Sequence, residues 1–77
     1  MNRGINTLAD NFGDWNGVLK TSDKTSFEYS KALSGTVSAL SDLLNVEADY
    51  ISHDFVTENL QNIEKAATGD EAAIARL

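Results

Sequence analysis

Seventy-seven residues are enough for one small domain and no more. The absence of cysteine excludes a disulfide framework and a thiolate metal site, and the absence of proline removes the strongest interruption to helices. Six basic residues against twelve acidic ones give a net charge of −6, which argues against nucleic-acid phosphates or an anionic membrane as partners and favours a basic protein.

Arg3 is not followed by the apolar stretch of a signal peptide, so secretion by that route is not expected. No apolar run approaches the roughly 20 residues that span a bilayer. From there Ile5, Leu8, Phe12, Trp15 and Leu19 recur at spacings of three and four. The pattern predicts an amphipathic helix over about residues 5–20, with Val18 at the edge of its apolar stripe and Asn6, Asp10 and Asp14 on the far side.

Two glycines, Gly13 and Gly17, flank Trp15 in this helix and fall roughly opposite its stripe. Two readings are open. A G-x-x-x-G spacing lets another helix or subunit approach closely. Alternatively, both glycines are merely tolerated, each weakening the helix by about 1 kcal/mol relative to alanine, and this is the preferred reading. Trp15, with Phe12 and Leu19 beside it, reads as a core anchor rather than an interface hot spot. "DNFGDWNG" is not a calcium loop, because Gly17 and Val18 break the alternation of oxygen ligands.

"TSDKTSFE" interrupts the first helix, and Thr25 followed by Glu28 predicts a capping box, with Asp23 or Ser22 as other candidate caps. A second helix runs to about residue 44. Its stripe is Tyr29, Leu33, Val37, Leu40 and Leu44, widened by Ala32, Thr36 and Leu43. The opposite side is small: Ser34, Gly35, Ser38 and Ser41 form either a packing face or, preferably, a solvated one. Asn45 suits a left-handed stop.

"VEADYIS" reads as a short helical turn or a loop packed by Val46, Tyr50 and Ile51. Ser52 then caps a third helix carrying Asp54 in its first turn and Val56, Leu60, Ile63 and Ala67 as its stripe, with Phe55 to one side. Gly69 closes it, and Asp70 caps a last segment, "EAAIARL". That segment stops after about two turns on apolar Leu77, which leaves two readings open: a stretch of a longer protein, which is slightly preferred, or a natural C-terminus that frays.

Chemistry-bearing residues are sparse. His53 is the single histidine, and its neighbour Asp54 does not share its direction on a helix, so neither a zinc site nor a catalytic triad is expected. Glu47, Asp49 and Asp54 could gather around a cation, but solvated charge near helix ends is the preferred reading. No nucleophile–base pair suggests an enzyme, and no cofactor or small-molecule ligand is expected.

Length, acidity and layout resemble an acyl carrier protein. That family needs a D-S-L-type motif with its serine at a helix start, whereas "SDLL" at residues 41–44 has the wrong order and lies late in a helix. "LSDLLNVEADYI", residues 40–51, resembles the tail of a lambda-repressor-like helix-turn-helix domain, which implies a regulatory DNA-binding function as the alternative. No recognition helix rich in Arg, Lys, Gln or Asn accompanies it. "INTLADNFGDWNGVLK", "SALSDLLNV" and "DFVTENLQNIEKAATGDEAAIARL", in that order and closing on an A-x-x-G-D-E-x-A-I run, resemble a stretch of the tail tape-measure proteins of long-tailed phages and prophages of Gram-positive bacteria. The resemblance covers residues 5–77. It implies a structural role in virion assembly, in which long helical chains line the tail tube and set its length. It further implies tail tube or assembly proteins, including further copies of the chain, as partners, and a location in the bacterial cytoplasm during assembly and then in the virion tail.

The expected fold is all-α: a small single-domain bundle of three main helices plus a short C-terminal one. Leu8, Phe12, Trp15, Leu19, Leu33, Val37, Leu40, Leu44, Val56, Leu60 and Ile63 are its expected core. Gly13, Gly17, Ser34 and Ser38 are the candidate interface residues.

Overall fold

A computed structural model describes residues 3–77, and the protein is an all-α bundle. Helix α1, Arg3–Thr21, buries Leu8, Phe12 and Leu19 and packs Ile5, Trp15 and Val18 partly into the core, as the stripe predicts. It includes Gly4, ahead of the expected start at Ile5, and Gly4 is itself a packing residue. A Cβ at position 4 would lie 2.4 Å from both the Ala39 carbonyl oxygen and the Leu43 amide nitrogen, so only glycine admits this backbone approach.

The connection at residues 22–26 is held by Asp23. Its carboxylate accepts from the Thr25 amide at 2.8 Å and from the Thr25 hydroxyl at 2.7 Å. The expected Thr25 capping box does not form, because the helix begins one residue later, at Phe27. Ser26 caps α2 instead, its hydroxyl accepting from the Tyr29 amide at 3.1 Å and donating to the Asp23 carbonyl at 2.7 Å.

Helix α2, Phe27–Leu44, runs back antiparallel to α1, the pair forming the main contact of the molecule. Tyr29, Ala32, Leu33, Ala39, Leu40 and Leu43 are buried. Thr36 is buried too, with its hydroxyl donating to the Ala32 carbonyl at 2.8 Å, so no polar group is stranded there. Val37 and Leu44, expected in the core, lie half-buried at its margin, as do Trp15 and Leu60. Asn45 ends the helix with φ 57°, in the left-handed region.

The segment after α2 is a 3-10 turn, Ala48–Tyr50. Only Ile51 of this stretch is buried. Val46 and Tyr50, expected to pack it, are exposed.

Ser52 caps α3, His53–Glu58, accepting from the Phe55 amide at 3.0 Å. The expected single third helix is divided at Asn59. There the backbone amide turns to the Val56 carbonyl, three residues back. The Asn59 side-chain amide donates at 2.8 Å to the Phe55 carbonyl, the acceptor that a continuous helix would have given to the backbone. Helix α4, Leu60–Ala67, then lies against α1 and buries Ile63 and Ala66. It closes in a Schellman motif, the Gly69 amide donating to Ala66 and the Asp70 amide to Lys65, with Gly69 at φ 90°. Asp70 caps α5, Glu71–Arg76, which seats fully buried Ala73 and packs on α4.

The radius of gyration is 11.3 Å, close to the roughly 11.5 Å expected of a compact chain this long. Among the described residues no helix is long and apolar enough to cross a membrane.

Candidate functional site

Packing sorts the glycines into two classes. Gly4 and Gly35 lie between α1 and α2. A Cβ at position 35 would come within 2.6 Å of the Trp15 indole. Gly35 therefore does not belong to an outward small face of α2; it makes room for the tryptophan. Gly13 and Gly17 are exposed, and a Cβ at either would meet nothing within 4 Å. Their outward direction is the one read from their helical angle.

Two open grooves border α1 and α2. One, about 350 Å³, lies between α1 and α4 over Leu8, Phe12 and Ala67, with Gly13, Asn16 and Glu64 at its edge. Asn16 spans these helices, its side-chain amide donating to the Glu64 carboxylate at 3.1 Å, while its side-chain oxygen is buried without a partner. The other groove, about 240 Å³, lies between α2 and the 3-10 turn with the start of α3. Leu33 and Val37 form its floor. Ser30, Ser34 and Ser38 form one wall, and Ala48 and His53 the other. The structure thus brings Ser34 and Ser38 together in one groove and Gly13 into a different one. Gly17 lines neither.

Three large apolar residues stand exposed: Phe27 at 76 %, Tyr50 at 79 % and Val46 at 41 %. The sequence pattern signals Phe27 clearly, since it falls on the side of α2 away from the Leu33–Leu40 stripe and with Ser34 and Ser38. Charge is segregated as well. Residues 32–64 contain Asp42, Glu47, Asp49, Asp54, Glu58 and Glu64 and no Lys or Arg, while the rest of the chain carries six acidic and six basic residues. The whole net charge of −6 therefore lies in this segment, and all six of its carboxylates are on exposed residues.

His53 is exposed at the first position of α3. Glu47, Asp49 and Asp54 are exposed nearby, and among the described residues no group of three or more such ligands is placed to hold a metal ion. The residues of the helix-turn-helix resemblance form the end of α2, the 3-10 turn and Ile51. The element that follows, α3, has six residues and carries Asp54 and Glu58. In comparisons with protein-family models, curated proteins and solved structures, nothing matches this chain.

Proposed function

We propose that this chain is a structural segment acting through protein–protein contacts, of the kind found in phage tail tape-measure proteins. The contact reading is carried by one observation: Phe27 and Tyr50 are more than three-quarters exposed, while every other large apolar residue described, Val46 apart, is buried or half-buried. Exposed aromatic side chains are what protein interfaces concentrate. The tape-measure part of the proposal is supported by the ordered strings over residues 5–77. In this reading the helices supply rigidity and length, and the outward faces meet tail tube proteins, assembly proteins or further copies.

The test is immunogold labelling of tail particles from the source strain with an antibody raised against this chain. Label along the tails is expected. Label confined to particle-free cytoplasm overturns the reading, as does sequence-selective DNA binding in a gel-shift assay at low salt. The outward glycines are tested by replacing Gly13 and Gly17 together with alanine: incorporation into tails is lost if they form a close contact and kept if they are merely tolerated.

A further inference from the structure

We propose that the groove between α2 and residues 47–54 docks a basic amphipathic helix of another protein. The proposal rests on the protein-contact reading above and specifies one partner for it. Ser30, Ser34 and Ser38 repeat every fourth residue along α2, so the wall they form is small for about 12 Å of helix length. A partner backbone can therefore come close. On the floor, half-buried Val37, beside the nearly covered Leu33, offers apolar surface to that partner's side chains. Phe27 extends the same side of α2 beyond Ser30, and Tyr50 belongs to the turn that builds the opposite wall. At about 240 Å³ the groove is smaller than the roughly 300–1,000 Å³ that encloses a small organic ligand. It suits the ridge of a helix laid along it.

Charge selects among helices. Exposed Glu47, Asp49 and Asp54 are chain neighbours of the wall residues Ala48 and His53, and Asp42 is exposed on α2; Lys31 is the cation on the α2 side, and His53 lines the groove itself. A second copy of this chain, carrying another −6, would meet this acidic rim less favourably than a basic helix does, while its other faces stay open to copies. A helix with a small apolar ridge flanked by Lys or Arg matches both the floor and the rim, with the charges steering its approach.

The probe is a synthetic amphipathic peptide of about 18 residues with Ala and Leu on one face and Lys on the other, and the control carries Glu in place of Lys. Amide resonances of Ser30, Ser34, Ser38, Ala48 and His53 are expected to shift with the Lys peptide only. Affinity should fall as salt rises from about 50 to about 300 mM. Ser34→Arg, at an exposed position and checked for folding by circular dichroism, should lower affinity about tenfold or more. The proposal is overturned by unshifted groove amides, by equal shifts with the Glu peptide, or by shifts centred on Gly13 and Gly17. Shifts that grow with protein concentration alone also overturn it, since copies of this chain would then fill the groove. A chain that labels tails while its groove ignores the peptide overturns this proposal and leaves the structural function standing.

Discussion

A methyl group added at residue 13 or 17 meets only solvent, while one added at residue 4 or 35 strikes the neighbouring helix. The same substitution should therefore have opposite signs. Gly13→Ala and Gly17→Ala should each stabilise the fold by about 0.5–1 kcal/mol, because a helical glycine loses more backbone freedom on folding than alanine. In thermal melts that is a rise of several degrees, at roughly 4–8 °C per kcal/mol for a domain of this size. Gly35→Ala should destabilise by about 1–3 kcal/mol as the indole is pushed aside, with a change in Trp15 fluorescence. Gly4→Ala should be at least as harmful, since the obstructing atoms are backbone and cannot turn away. Asp23 gives a residue-scale pH effect. Its carboxyl is held below its ordinary value of 3.8, first by the Thr25 amide and then by the Thr25 hydroxyl. A carboxyl lowered by folding favours the folded state above the ordinary value, and that contribution disappears as pH falls through the lower folded one. A carbon-detected NMR titration should place the Asp23 midpoint below 3.8, and Thr25→Ala, which keeps the amide donor, should return it part of the way.

Helices α2, α3 and α5 each start at a side-chain cap acting within a few residues, which is why most element ends can be read locally. Asn45, Ser52, Gly69 and Asp70 do what their residue types suggest. Thr25 and Ser26 are both competent caps; the structure uses Ser26, with Thr25 held by its amide and hydroxyl in the Asp23 turn before the helix begins, and no cap pattern encodes that choice. The division at Asn59 is invisible to periodicity, because Val56, Leu60 and Ile63 keep helical spacing on both sides of it. Asn59→Ala removes the substitute donor to the Phe55 carbonyl and should destabilise by about 1–2 kcal/mol in thermal or urea melts. Ser26→Ala should act similarly, by about 1 kcal/mol, through the lost cap of α2. The packing roles of Gly4 and Gly35 are equally hidden, since a glycine's importance depends on what faces it from another helix. Of the candidate interface, the exposure of Gly13, Gly17, Ser34 and Ser38 is legible from their angle on each helix. The groove that joins Ser34 and Ser38 to Ala48 and His53 is not, because it depends on how the chain folds back after Asn45.

At the scale of the molecule, one-sided charge opposes compactness. The six carboxylates of residues 32–64 have no Lys or Arg within their own segment, so added salt should raise the melting temperature by screening their mutual repulsion. Asp49→Lys at low ionic strength should mimic part of that rise, and a melt insensitive to both would show that the carboxylates are too far apart to interact. The α1–α2 pair has a further property that follows from its two buried glycines. Gly4 meets α2 near the end of that helix, and Gly35 receives Trp15 nearer its middle. Sliding α1 by one turn, about 5.4 Å, would carry Leu8 towards the backbone that Gly4 now touches and draw the indole off its recess. Like two dowels in one plank, these contacts admit a single alignment of the helices. Any partner that reads the outer faces of α1 and α2 would meet them in that one alignment.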